Sequence, residues 1–392
     1  MRVKSRNWGS RKPGGPRRAA LFVPSNVENV VLAMKLRDFA AMRGFDLSIF
    51  VWDRRRNVAT GVCTDSNGEH PLLQNEGAGR FGRAFGYFRW MIQVLRSASR
   101  LPCSTLVLCI DLASAIPVAV VSLVRDIRFV FLDGDNLSLS FRWPAVMMHV
   151  LSRLEAFVAH RATLHVVPGS GRWPQPERNL RIVPNSPSRN TLTRARGIAR
   201  AQCYSRPKTF TLYANGWLTS GRGMAAILAA TRALDEVAKL VVAGQPGCRE
   251  ADELIRLPNV DFVGLLGLEE ALALYERCHL VLTFYDPSVA INRLAEPNKW
   301  HDCIAMGTPF VTNDGVLTAG PFLEQVACFA VPYGDPDALI ALVRRLDRDR
   351  ALWESARRQI CSIRSVPWDE GMGRVIEDAL GDVVQGRPGG SQ

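Results

Sequence analysis

At 392 residues the chain is too long for one ordinary hydrophobic core, and its length suggests about two domains. A hydrophobic content of 47% with 22% charged residues excludes a disordered chain and describes a soluble globular one, and no repeat period is visible. The net charge of +12 is unevenly placed: up to Lys208 there are 32 Lys and Arg against 13 Asp and Glu, and beyond it 17 against 24. A basic first half points to an anionic surface met by that half only, such as a membrane leaflet, a lipid phosphate or a nucleic acid. An arginine-favouring codon bias would give the same figure.

The nine cysteines (Cys63, Cys103, Cys109, Cys203, Cys248, Cys278, Cys303, Cys328 and Cys361) form no C-x-x-C pair. Several lie in apolar runs and read as small core residues of a reducing compartment, which places the chain in the cytoplasm. The six histidines show no metal spacing. Residues 1–18 are basic and rich in Gly and Pro, without the apolar core of a secretory signal, and read as a disordered tail. The longest apolar run, Leu112 to Val124, has 13 residues and contains Pro117. That is short of the ~20 a membrane span needs, so no bilayer crossing is expected.

In chain order, 19–24 predicts a buried strand, 26–43 a helix and 46–52 a second strand. A loop rich in Gly, Asn and Glu follows from 54 to 82. The 85–100 segment predicts a helix carrying Phe85, Tyr87, Phe88, Trp90 and Met91 beside Arg83, Arg89 and Arg96. Such a helix fits an anionic membrane interface, or equally a core helix with arginines on its solvated face. Strand 105–110, helix 113–124 and strand 128–132 come next. A helix over 145–162 is expected to turn Met147, Val150, Leu151, Leu154, Phe157 and Val158 toward the core. Strands 164–167 and 180–183 close the first half, and the polar, Arg-rich, turn-prone 186–207 stretch is the best linker.

A second alternation follows: strand 209–213, helix 224–234, strands 238–243 and 260–263, helix 269–277 and strand 280–284. Strand 329–331, helix 336–346 and a final helix near 370–380 come last. This order predicts two doubly wound α/β domains with ligands at the carboxyl ends of the strands.

The segment from Glu296 to Asn313, EPNKWHDCIAMGTPFVTN, carries the clearest chemistry. Pro297 and Asn298 are expected to start a short helix with Asn298 as its cap, and Gly307 and Pro309 to end it before a buried strand. Free backbone N–H groups, the positive helix end and the Lys299 ammonium would gather at the start and hold a phosphate or diphosphate. Asp302, one turn on, can accept hydrogen bonds from a sugar diol. An ordinary capped helix with a solvated Lys–Asp pair would carry the same residues.

GWLTSGRG (216–223), VDFVG (260–264) and PNKWHDCIAMGTP (297–309), in that order, resemble motifs of the GT-B nucleotide-sugar glycosyltransferases, most closely family 4. LEAFVAHRATLHVVPG with RIVPNSPS, and VPWDEGMGRVIEDAL near the carboxyl end, extend the resemblance over roughly residues 19–380. It implies two Rossmann-like domains facing a central cleft. The implied boundaries are a tail at 1–18, an acceptor domain at 19–190, a linker at 191–207, a donor domain at 208–355, and a final helix returning to the first domain within 356–392.

The resemblance also implies roles by position. Gly216 lets the backbone approach the donor phosphates, Arg222 and Lys299 hold the diphosphate, and Asp302 holds the ribose. Backbone around Gly264 and Leu265 faces the base, and Asn298 opens the phosphate-binding helix. This sequence departs from the pattern in four places, one being the Gly-rich loop after the first strand, where Pro24, Ser25 and Asn26 stand instead. Trp217 stands where an arginine is usual, Asp302 where a glutamate is usual, and Leu294 where the family has the earlier acid of its paired glutamates, with Glu296 the nearest carboxylate.

Transfer requires the leaving nucleotide diphosphate to be stabilised. No D-x-D cluster lies in the second domain, so Arg222, Lys299 and the helix end are expected to act without a metal or other cofactor. FLDGDN sets Asp133 and Asp135 after a strand, and its likeness to inverting GT-B enzymes favours Asp135 as the base that takes the acceptor proton. Both aspartates could equally be turn-formers.

The expected function is therefore transfer of a sugar from a UDP- or GDP-sugar to a glycan or lipid-linked acceptor in surface polysaccharide assembly. The basic half would touch an anionic membrane from the cytoplasmic side. A UDP-sugar epimerase and a GT-B pseudoenzyme or scaffold are the alternatives. Nucleic-acid binding, suggested by the charge, finds no basic–aromatic repeat.

Overall fold

The computed structural model describes residues 17–54, 69–74, 80–173 and 177–381. The expected tail lies outside the described residues up to position 16, as does most of the 54–82 loop. Arg17 and Arg18 already belong to the first strand.

Among the described residues the chain divides into two compact units, one up to 132 with 158–163 and one of 133–157 with everything from 164 onward. Two parallel sheets are formed. The first has strands β1 (Arg17–Val23), β2 (Phe45–Asp53), β3 (Glu69–Gln74), β4 (Leu106–Ile110), β5 (Arg128–Leu132), β6 (Leu164–Val167) and β7 (Leu180–Ile182). Its order is β3-β2-β1-β4-β5-β6-β7. The second has β8 (Phe210–Leu218), β9 (Ala238–Pro246), β10 (Val260–Gly264), β11 (Leu280–Leu282), β12 (Phe310–Asn313) and β13 (Cys328–Val331), in the order β10-β9-β8-β11-β12-β13. In both, the chain starts near the middle, winds to one edge and returns to the other side of its first strand. The switch points therefore fall between β1 and β4 and between β8 and β11.

The central strands are continuous apolar runs because helices cover both faces. Every residue of β4, β11 and β12 is buried. Edge strand β3 replaces part of the expected loop: EHPLLQ is partly exposed and carries Pro71, tolerable only where one ladder side is open. The stretch expected to be a turn-prone linker forms the Arg189–Ala201 helix, capped by the Ser188 hydroxyl accepting from Thr191 N–H. Its arginines line a solvated face while Ala195 and Ala199 are buried. Helices Arg249–Leu254 and Arg350–Ser362 were not anticipated. All eight described cysteines are free; Cys109, Cys278, Cys303 and Cys328 are buried, whereas Cys103, Cys203 and Cys361 are exposed.

The Ala145–Arg161 helix corrects another expectation. Val158 is buried as expected, but Met147, Val150 and Phe157 are exposed. The core side of the helix instead carries Glu155, only 2% exposed, whose carboxylate accepts from both the backbone N–H and the hydroxyl of Ser138. That buried pair fixes the rotation of the helix and leaves half its apolar face outward. The Arg80–Arg100 helix divides similarly: Trp90, Val94 and Ala98 are buried while Phe85, Tyr87 and Phe88 are exposed.

The final helix, Trp368–Gly381, returns to the edge of the first sheet. Trp368 N–H donates to Pro187 O at 3.2 Å, Asp369 accepts from Arg189 N–H at 2.7 Å, and Asp378 pairs with Arg181 at 3.2 Å.

Candidate functional site

The Asn298–Met306 helix follows an extended Pro297, and Gly307 in the left-handed conformation ends it. Asn298 is not its cap: Pro297 occupies that position and makes no side-chain cap bond, while Trp300 N–H donates to the Pro297 carbonyl at 3.2 Å. Asn298 is the first helical residue, and the missing cap leaves the helix start available to an outside acceptor. Lys299, in its first turn, reaches the end of β8. A Cβ on Gly216, whose φ is +86°, would stand 3.4 Å from the Lys299 Nζ. Glycine at 216 thus supplies the backbone turn and the space the ammonium occupies.

A pocket of about 290 Å³, open to solvent, lies where β8 and β11 end, the switch point of the second sheet. Asn215 and Trp217 line it from β8, Thr283 and Tyr285 from the end of β11, with Arg222 and Lys299 beside them. The Arg222 guanidinium lies over the Tyr285 ring, 4.5 Å from its centre. Arg222 Nη1 and Asn215 Oδ1 are both buried without a hydrogen-bond partner in the protein. Both residues line the pocket, and leaving such buried polar atoms unpaired is costly. An anion bearing a neighbouring hydroxyl would satisfy both.

Burial, then the positive charge of Arg222, lower the Lys299 ammonium from 10.5 to about 8, with Asp302 opposing the shift. A bound diphosphate favours the charged amine, so affinity for a UDP-sugar should be greatest below pH 8 and fall as pH rises through it. The expected slope approaches about tenfold per pH unit, and Lys299→Arg should flatten it. Measured without ligand, stability should move oppositely. The unfolded chain binds the extra proton between pH 8 and 10.5, so this group makes the fold more stable as pH rises across that window. Calorimetric titration and thermal melting over pH 7 to 10 check both signs.

Of the residues singled out from sequence, Gly216, Arg222 and Lys299 come together, and Asp302 is close enough to act electrostatically on Lys299. Gly264 ends the edge strand β10 and the exposed Leu265 follows it; neither lines this pocket, nor do Asn298 and Asp302. Sequence reasoning missed Asn215 and Tyr285, which have the generic signal of polar or aromatic residues at strand ends. Trp217, noted only as a lost charge, is an exposed wall of the pocket.

The two aspartates of FLDGDN have different surroundings. Asp133 is buried with its Oδ2 3.3 Å from His165 Nε2. Asp135 has 73% of its side chain exposed and accepts from Arg172 Nη1 at 2.8 Å. Arg172 also donates to the carbonyls of Gly134 and Leu294, the latter at 2.8 Å, and so joins the Asp135 loop to the turn preceding the Lys299 helix. The two carboxylates face separate partners. Among the described residues no group of three or more His, Cys, Asp or Glu is placed to hold a metal ion. Glu296 fills the space above Gly169 that a side chain there would occupy.

No protein-family model matches the sequence, and no curated protein sequence matches it. Structural likeness is extensive. Sucrose-phosphate synthase from Thermosynechococcus elongatus superimposes with a TM-score of 0.66 at 15% identity, over 93% of this chain and 100% of that one. HepE from Anabaena, in complex with UDP-glucose, gives 0.63 at 14% over 93% and 99%. A putative UDP-N-acetylglucosamine 2-epimerase from Listeria monocytogenes gives 0.62 at 11% over 96% and 99%. The fold is GT-B, with parallel α/β domains of seven and six strands. Identities this low speak for the fold alone. Among the described residues no helix is long and apolar enough to cross a membrane.

Proposed function

We propose that the protein transfers a sugar from a nucleoside diphosphate donor to a glycan or lipid-linked acceptor, in the manner of surface polysaccharide assembly at the cytoplasmic face of a membrane. The observation that carries this reading is the meeting of Lys299, Arg222 and the Gly216 turn at a switch-point pocket with an unsatisfied guanidinium nitrogen. The structural neighbour HepE was solved with UDP and with UDP-glucose, which favours a uridine donor. In this reading the bond between the anomeric carbon and the diphosphate oxygen breaks. The leaving oxygen's charge is met by Lys299, Arg222 and the helix start, without a metal. A new bond forms from the acceptor oxygen, and in an inverting enzyme its proton passes to the exposed Asp135.

A panel of UDP- and GDP-sugars, with turnover followed by product NMR, tests the proposal. No affinity for UDP or GDP in calorimetry, together with no turnover, would overturn it. A second reading, sugar-nucleotide epimerisation, is supported by the epimerase likeness over 96% of this chain. Isomerisation of UDP-N-acetylglucosamine with no acceptor present would favour it.

A further inference from the structure

Ordinary surfaces scatter single apolar side chains, but residues 141–157 concentrate them. Phe141 is 61% exposed, Val146 78%, Met147 46%, Val150 47% and Phe157 36%, with Trp143 at 37% just before the helix. Val146, Val150 and Phe157 fall at i, i+4 and i+11 of the Ala145–Arg161 helix, and Arg153 at i+7 completes one solvent-facing stripe. The opposite side is anchored: Glu155 is bonded to Ser138, and Val158 and Ala159 are buried.

The charge of this segment is one-signed, with Asp286 outside it near enough to Arg142 to feel its charge. Between Leu137 and Arg161 the single acidic residue is Glu155, which is buried, while Arg142, His149 and Arg153 are exposed. An aromatic pair at the entrance (Phe141 and Trp143 in edge contact, centres 5.4 Å apart), an apolar stripe and interspersed cations are the features of a helix lying in an anionic lipid interface. A second protein copy would set these cations against themselves, because a two-fold contact brings each patch onto its own likeness.

We propose that residues 141–157 form the membrane-docking surface of this protein, seating on an anionic bilayer. This deepens the lipid-linked acceptor reading and rests on it only for its purpose, since adsorption is measurable without any transfer reaction. The surface begins six residues after Asp135 and is tied to that loop, because Trp143 Nε1 donates to Leu137 O at 2.8 Å and Ser140 to Asn136 O at 2.7 Å. A bilayer held there would present lipid head groups next to the loop carrying the candidate base. The helix whose composition fits such an interface in the sequence is 85–100; the 141–157 stripe carries the argument further because it is hydrogen-bonded to the loop that holds Asp135.

Co-sedimentation of the full chain with vesicles of equal phosphatidylglycerol and phosphatidylcholine, against phosphatidylcholine alone, tests the proposal. Binding is expected to the anionic vesicles and to weaken steeply with salt. Val146→Asp with Val150→Asp should reduce it by about tenfold or more, and Arg142→Glu with Arg153→Glu should remove the preference for anionic lipid. Both variants should keep the parental melting temperature and UDP affinity, which separates failure of this proposal from failure of the donor site. No vesicle binding, binding untouched by either variant, or a dimer dispersed by Val146→Asp would overturn it.

Discussion

Arg222→Ala combined with Lys299→Ala is expected to weaken UDP binding by a factor of about 10² to 10⁴, since each charge-assisted contact to a phosphate contributes roughly 1.5–3 kcal/mol. Each single substitution should cost about tenfold to a hundredfold by the same reasoning. The double variant should lose more than the sum of the two single losses, for a reason visible in the site. Arg222 depresses the basicity of Lys299, so removing Arg222 leaves more of the lysine protonated near pH 8. Substitution at 222 thereby restores part of the charge it removes. Isothermal titration of the four proteins at pH 7 and pH 8.5 measures the coupling, which should be larger at the higher pH. Parental affinity in the double variant would remove the diphosphate from this pocket altogether.

Gly244→Ala is expected to damage both the fold and the site. Gly244 lies opposite Gly216 where β9 pairs with β8, and its φ is +137°. A Cβ there would overlap the Gly216 carbonyl oxygen and stand 2.8 Å from its nitrogen, so relief requires backbone movement. Conformational strain alone costs about 1–3 kcal/mol, and the overlap adds to it. With roughly 2–4 °C lost per kcal/mol in a domain of this size, a fall in melting temperature on the order of 10 °C is expected. UDP affinity should fall with it, because the displaced backbone is the turn against which Lys299 packs. Gly197→Ala is the control: it lies exposed in a helix with nothing near its Cβ position, and should be neutral or slightly stabilising. Parental melting and affinity in Gly244→Ala would show that the strands tolerate a wider gap.

Much of the architecture could be read from the chain because the central strands are buried on both faces and write themselves as apolar runs. Strands 128–132 and 164–167 were recovered to the residue, as was the end of the Asn298–Met306 helix at Gly307. Elements whose reason is tertiary were not. β3 is a half-exposed edge containing Pro71, and the Arg189–Ala201 helix hides behind a composition typical of linkers. The rotation of the Ala145–Arg161 helix depends on a carboxylate meeting Ser138 seventeen positions away, which no periodicity of apolar residues could reveal. At the site, spacing located Lys299 at a helix start. It could not show that β8 runs on to Leu218, bringing Gly216 against the lysine, nor that Asn215 and Tyr285 share the wall.

Arg172 gives the Asp135 loop a property that a lysine or histidine in its place would not. A guanidinium does not lose its proton in the range where proteins stay folded. The fastening of residues 134 and 135 to the turn ending at Leu294 therefore cannot be undone by alkali. A rate profile that bends on the basic side would then report ionisation of the reacting groups themselves, with the scaffold around them mechanically unchanged.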